Sequence, residues 1–492
     1  MRVLYLDLDT LRPDHLGCYG YHRDTSPNID RIAQEGIRFN NYYASDAPCA
    51  PSRTAMMTGM QGIHNGAVSH GGTAADIRVQ GASRKFKSYT EWNALTRLFR
   101  EEDMRTVLVS PFPERHSLFH YYAGFTEMYN TKNSGHESAE EVTPTVLDWI
   151  DRNGDEDNWY LHINYWDAHT PYRAPEEFGN PFADEPLPSW VDEKVMEEHW
   201  QKAGPHSAQD FNMWDNETSE KYPRQPGEVK GMDGFRTVID GYDCGIRYMD
   251  QHIGKIFAAL EAKGVMDEVI IVISSDHGEN FGELGLYGEH ATADNITCRI
   301  PFIVRWPGAG IKPNSENDAL HYNIDWAPTL AEMMNKERRP LWTGKSFASA
   351  LTEGKEDGHE ELILSQCAHV CQRSVRHGDW IYIKTYHDGL HSFPEEMLFN
   401  VKNDPNQQYN LAEELPEVVK DMAYRYLKWH DKMMATQPFG NTSDPLQVVM
   451  HEGGPHHAKC DDVDAYMKRL EETGRGQHVE LIKQRHPEMF QG

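Results

Sequence analysis

An uninterrupted apolar run, Val269-Ile270-Ile271-Val272-Ile273, ending in Ser274-Ser275-Asp276-His277-Gly278-Glu279, constrains the fold most. Consecutive β-branched residues offer no polar face to water, so they predict a central strand of a parallel sheet with helices on both sides. Asp276, His277 and Gly278 then leave its carboxyl end, where open α/β sheets gather binding groups. Val3-Leu4-Tyr5-Leu6-Asp7-Leu8-Asp9 alternates acid with apolar residues and predicts a strand with both carboxylates on one face. Thr106-Val107-Leu108-Val109 and Trp159-Tyr160-Leu161-His162-Ile163-Asn164-Tyr165 add two more core strands, the second followed by Trp166-Asp167-Ala168-His169-Thr170-Pro171-Tyr172. The expected class is α/β, with a large, mixed, mostly parallel central sheet flanked by helices.

Ser26-Pro27-Asn28 opens an amphipathic helix with Ile29, Ile32 and Ala33 inward, and residues 238–263 read as a helix with Ile246, Met249, Ile253 and Ile256 inward. Residues 176–235, rich in Pro, Trp and acids, lack periodicity and read as a long irregular insertion. Past residue 355 the texture changes to short paired strands and a helix over 417–433. The expected division is a catalytic α/β domain over 1–355 and a smaller C-terminal antiparallel sheet plus helix over 356–492. The tail from Pro445 carries His451, His456 and His457 and either folds back over the active site or covers the core.

The chain has 492 residues, 39 % hydrophobic and 25 % charged, with a formal charge of −29. That charge argues against nucleic acid or an anionic membrane as partner. It would also repel an anionic polymer more than a short anionic fragment. No apolar run reaches a membrane span. The first strand starts at Val3, which leaves no length for a signal peptide, and seven scattered cysteines give no disulfide framework; both imply the cytoplasm.

Cys49-Ala50-Pro51-Ser52-Arg53-Thr54-Ala55-Met56-Met57-Thr58-Gly59 reads as a short helix, with Pro51 and Ser52 in its first turn and Gly59 as its stop. Cys49 then sits at a helix N-terminus, where free N–H groups stabilise an anion, with Arg53 one turn on. The alternative is a small apolar residue before a buried helix. Cys49-Ala50-Pro51-Ser52-Arg53 followed by Thr58-Gly59 resembles the signature of the type I sulfatases, members of the alkaline-phosphatase-like superfamily. The resemblance implies that Cys49 is oxidised to formylglycine by a maturation enzyme, and that one hydroxyl of the hydrated aldehyde attacks sulfur while the other later expels sulfate. It departs from the common pattern at Met57, where leucine is usual.

Other blocks resemble the same family. Asp9 occupies the place of a metal-binding aspartate, but Thr10 stands where a second is common, so either the site has one ligand fewer or Asp7 contributes. Asp276 and His277 match the metal-binding pair of the Ser-Asp-His-Gly block. Carboxylates suit Ca2+, whereas the imidazole suits Mn2+ or Zn2+ as well. With Cys49 itself, the implied metal set is Asp9, Asp276, His277, Cys49 and Asp7. Asp276 is also implied to take the attacking proton, and Arg53 to stabilise developing charge. His169, in a His-x-Pro-Tyr context, matches a sulfate-contacting histidine, and His290 stands where a lysine is common; either can protonate the leaving oxygen. The usual Gly-Lys-Trp-His block is missing, and Arg115 and His116 are the substitutes at hand. A basic loop with Arg84 and Lys85 is either solvated or a clamp for a substrate carboxylate or sulfate. Asp325, in Asp325-Trp326-Ala327-Pro328-Thr329, reads as a structural cap. The implied reaction is exo-hydrolysis of a small sulfated carbohydrate, such as a glycosaminoglycan-derived mono- or disaccharide. The alternatives are a phosphonate monoester or phosphodiester hydrolase of the superfamily, or a degenerate sugar-binding homologue.

Overall fold

The computed structural model describes residues 1–75, 77, 93–438 and 443–490. Among them, nine strands form the main sheet. From one edge its order is Ser315–Asn317, Ile37–Tyr43, Arg299–Arg305, Val269–Ser274, Arg2–Leu8, Trp159–Tyr165, Arg105–Val109 and Glu127–Tyr129, with His321–Tyr322 beside Ile37–Tyr43. The strands from Val269–Ser274 to Glu127–Tyr129 run parallel, and Arg299–Arg305 runs against both its neighbours. The apolar run is central, as its composition predicts, and every residue of Val269–Ser274 is buried.

Side-chain alternation divides the core. Leu4, Leu6, Leu8, Leu161, Ile163, Ile271 and Ile273 pack against the helices Pro27–Glu35, Ala139–Asn153 and Gly231–Ala262. Val3, Tyr5, Tyr160, Ile270 and Val272 face the other way, toward Cys49–Thr58 and Trp326–Met333. A parallel sheet must cover both faces, and these two layers do so.

The smaller sheet takes Glu396–Asn400, Trp380–His387, Cys371–His377 and Glu361–Gln366 in antiparallel order, with Pro416–Ala435 against it. Its last strand, Asp46–Ala47, comes from just before Cys49 and pairs in parallel with Ser365 and Gln366. Asp325 is structural: it accepts the N–H groups of Tyr322 (2.8 Å) and Lys345 (2.6 Å). All seven cysteines are unpaired, and no helix among the described residues is long and apolar enough to cross a membrane.

The insertion departs from its expected irregularity. Glu193–Trp200 is a helix capped by the Asp192 side chain, which accepts Val195 N–H, and the long helix starts at Gly231 rather than 238. Both were hidden by mixed polarity, because the helix Glu193–Trp200 packs on the long helix instead of the sheet. The tail, with helices Pro445–His451, Val463–Glu472 and Val479–Arg485, covers the insertion and also reaches the site through His457. Asp210 joins insertion to tail, accepting hydrogen bonds from Arg475 (2.6 Å), Arg469 (2.7 Å) and the Tyr466 hydroxyl (3.0 Å). Asp210 and Arg475 are both fully buried. Asp210→Ala strands that guanidinium, so denaturant unfolding should register a loss of about 3–5 kcal/mol; a loss below about 1 kcal/mol would show that the junction carries little.

Candidate active site

Strand parity aims the acids. Odd-numbered residues of Arg2–Leu8 face the Cys49–Thr58 helix, so Asp7 points toward it, and Asp9 follows beyond the strand end. Thr10, at φ +55°, turns the chain so that its N–H reaches Asp276 Oδ1 at 3.2 Å. Asp276 arrives from the end of the neighbouring strand, and Ser52 Oγ donates to its carbonyl at 2.6 Å. Gly59, at φ +63°, ends the helix, where a side chain would meet Trp342.

Arg53, one turn inside that helix, ties the acids together. Its Nε lies 2.8 Å from Asp7 Oδ2, its Nη2 3.0 Å from Asp9 Oδ2, and its Nη1 2.5 Å from Asp276 Oδ2. The guanidinium stacks over Phe112 at 4.2 Å and is 1 % exposed. Asp7 also faces His162 Nε2 at 3.3 Å.

Cys49 is the first helical residue and is buried. Its Sγ is 2.9 Å from His277 Nε2. Burial pushes the thiol pKa up, and the Asp9 and Asp276 charges push it further, so the unmodified thiol is neutral. Donor atoms of Asp9, Cys49, Asp276 and His277 all lie within 4.8 Å of one another. Asp7 stands outside this group, engaged by Arg53 and His162.

The group fits a divalent cation. Asp9 Oδ1 and Thr10 Oγ1 are buried without a hydrogen-bond partner, a costly state that a cation relieves. Burial would raise Asp9, but Arg53 and the nearby histidines override it and hold the carboxyl below its usual range. Asp276 is pushed up to about 6 by burial, with Arg53 opposing and Asp9 adding repulsion. One guanidinium does not balance three carboxylates, and an added positive charge would.

Histidines line the opposite wall. The His277 and His290 rings stack at 3.9 Å, and His169 approaches His290 at 5.4 Å. His169 Nδ1 meets Thr170 O, and burial lowers its pKa to about 3. His290 Nδ1 is 2.8 Å from Glu289 Oε1; burial lowers His290 while Glu289 opposes. His116 is half-buried, with its pKa lowered to about 3 by desolvation and then by Arg115, and its ring lies 4.8 Å from His70. Arg115 stacks over Trp166 at 5.3 Å and donates to the carbonyls of Ser134 (3.3 Å) and Gly135 (3.2 Å). Arg84 and Lys85 lie outside the described residues.

Several site residues escaped the sequence reading. His70 Nε2 accepts Ala50 N–H at 3.5 Å, and its Nδ1 is 2.9 Å from His457 Nε2. Glu289 is ringed by His290, His206 and His369. These histidines come from separate loops with no shared spacing. Glu289 carried a signal as the immediate neighbour of His290, and His457 as one of the histidines named in the tail.

The sulfatase family model matches residues 2–336, and a model described as N-sulphoglucosamine sulphohydrolase, C-terminal, matches residues 282–444. The N-acetylgalactosamine-6-O-sulfatase of Bacteroides thetaiotaomicron is 24 % identical over 496 residues, covering 86 % of this chain and 91 % of that relative. A solved structure described as in complex with its substrate D-glucosamine-2-N,6-O-disulfate has a TM-score of 0.69 at 18 % identity, covering 89 % of this chain and 99 % of its own. The phosphonate monoester hydrolase of Agrobacterium radiobacter has a TM-score of 0.66 at 16 % identity, covering 88 % and 96 %. With the family model spanning well over half its length and the same α/β sheet carrying the Cys49 helix, the chain belongs to the sulfatase family and is a sulfuric ester hydrolase.

Proposed function

We propose that the chain removes sulfate exo-fashion from a small sulfated sugar, with formylglycine made from Cys49 and a divalent cation held by Asp9, Asp276 and His277. The carrying observation is that Cys49, at a helix N-terminus, shares one buried cluster with those three donors. The two carboxylates favour Ca2+, while the imidazole leaves Mn2+ or Zn2+ open. When bound, the cation supplies Lewis-acid polarisation of the sulfate oxygens, and the hydrated aldehyde, made by a separate maturation enzyme, supplies the attacking hydroxyl.

The other parts follow from proton and charge positions. Arg53 keeps Asp9 and Asp276 oriented by direct hydrogen bonds. Asp276, pushed up to about 6, suits the uptake of the proton lost by the attacking group. The Thr170 carbonyl holds the proton of His169 on Nδ1, so its Nε2 is left for substrate, and His290 Nδ1 faces Glu289 Oε1 at 2.8 Å. An entering anionic ester favours the imidazolium form, which fits either ring to protonate the leaving oxygen. Arg115 and His116, beside Trp166 and His70, fit the sugar or a further anionic group.

The sugar substrate rests on the B. thetaiotaomicron relative and on the neighbour bound to glucosamine disulfate. The likeness to a phosphonate monoester hydrolase favours a second reading, phosphoryl-ester hydrolysis on the same machinery. Cys49→Ala is expected to lose at least about a thousandfold in sulfate release with its circular dichroism unchanged. Mass spectrometry of the matured wild-type Cys49 peptide should show the aldehyde in place of the thiol; a retained thiol in fully active enzyme would refute the modification. Across sulfated mono- and disaccharides, phosphate monoesters, phosphonates and phosphodiesters, kcat/KM should be highest for a sulfated sugar, and a higher value on a phosphodiester or phosphonate would install the second reading.

A further inference from the structure

Beside His290, three buried groups from distant segments converge: His206 in the insertion, Glu289 ending the strand Tyr287–Glu289, and His369 between two strands of the small sheet. One donor atom from each lies within 4.8 Å of the other two. The His206 loop is pinned by its own backbone, which donates to Asp210 O (3.0 Å) and accepts Tyr287 N–H (2.9 Å). His206 Nδ1 lies 3.0 Å from the Phe211 carbonyl, which can only accept, so the ring proton sits there and Nε2 keeps a lone pair. That Nε2 is buried, forms no hydrogen bond, and stands 3.2 Å from Glu289 Oε2. His369 Nε2 is 3.7 Å from Oε1, too far for a hydrogen bond.

A bare Nε2 facing a carboxylate oxygen is repulsive unless a proton or a metal cation lies between them, and with a second imidazole on the same carboxylate a metal cation serves all three groups. Tetrahedral zinc, with bonds of roughly 2.0–2.1 Å, holds its ligand atoms roughly 3.3 Å apart; His206 Nε2 lies 3.2 Å from Oε2 and His369 Nε2 3.7 Å from Oε1, separations of that order to the two oxygens of one carboxylate. We infer that His206, Glu289 and His369 form a second metal site, separate from the Asp9–Asp276–His277 group, that takes a divalent transition ion of the zinc type. Two imidazoles and one carboxylate select such an ion over Ca2+ and leave a fourth position open. Outer contacts support the set. Glu289 Oε1 accepts His290 N–H at 3.0 Å, and the His457 ring stacks on His369 at 4.3 Å. Through Glu289, the ion would also fix the orientation of His290.

The full chain, stripped with chelator and then dialysed against low-micromolar Zn2+ with Ca2+ in excess, tests this by metal analysis and thermal unfolding. The wild type should hold one equivalent of zinc and unfold at a higher temperature with zinc than without. His206→Gln and His369→Gln should each bind zinc at least about tenfold more weakly and lose the zinc-dependent shift, whereas Asp9→Asn should keep both. The wild-type shift needs no variant to fold. A wild type that holds no zinc, leaving only a histidine–carboxylate pair, would overturn the site. So would His206→Gln and His369→Gln variants that retain wild-type zinc, or loss of that zinc in Asp9→Asn.

Discussion

The buried guanidinium of Arg53 is the contact on which the rest of the site depends. It meets Asp7 and Asp9 from one strand and Asp276 from the next, while its own helix starts at Cys49. Desolvating four charged groups is expensive, and only short, directional hydrogen bonds offset it. A planar fork can address three carboxylates at once; a lysine ammonium cannot hold that geometry. The same contact fixes the height of the Cys49 helix against the sheet, so residue 49 and the acids share one register. The cost of the cluster is stored as unpaired acceptors, Asp9 Oδ1 among them, and those acceptors suit the group to a cation.

The remaining wall of the pocket is built differently. Where the family often uses lysines to meet sulfate, this chain offers His290, and Arg115 and His116 occupy the region of the missing Gly-Lys-Trp-His block. Burial holds His169 and His116 neutral at ordinary pH. Among the described residues the fixed positive charge near the pocket is that of Arg53, Arg115 and Arg173, in a chain of formal charge −29. Recognition of an anion would then fall on N–H donors, the helix N-terminus and a cation held by the acid cluster. Such a wall discriminates by hydrogen-bond geometry more than by charge.

The fold and the acid cluster were legible in the sequence because both follow from local alternation. Odd-numbered positions in Arg2–Leu8 face one layer, so Asp7 and Asp9 were bound to share a side. The apolar run 269–273 was bound to be central, and Asp276 had to emerge at its end. Local alternation did not separate Asp7 from Asp9, because both meet Arg53 and what distinguishes them is tertiary: His162 faces Asp7, whereas Asp9 Oδ1 is left unpaired. The histidines outside the motifs were illegible for a related reason. His70, His206 and His369 belong to loops whose positions are set by tertiary packing, and isolated histidines in such loops carry no period. The helix Glu193–Trp200 escaped because it packs on the helix Gly231–Ala262 rather than on the sheet.

The C-terminal third is tied into the site by backbone and side chain alike. Asp46–Ala47, directly before Cys49, is a strand of the small sheet, and Gln366 Nε2 from that sheet donates to the His290 carbonyl at 2.8 Å. His457, further along, closes on His70, which accepts the N–H of Ala50. The two family models overlap across residues 282–336, over the segment that carries Glu289 and His290. A boundary drawn near residue 355 divides the sheets, but it runs through the support of the reacting groups. The small sheet sets the position of the Cys49 helix start from one side while Arg53 sets its depth from the other. A displacement of either would move residue 49 relative to Asp9 and Asp276, and misplacement by an ångström is enough to cost about a hundredfold in rate.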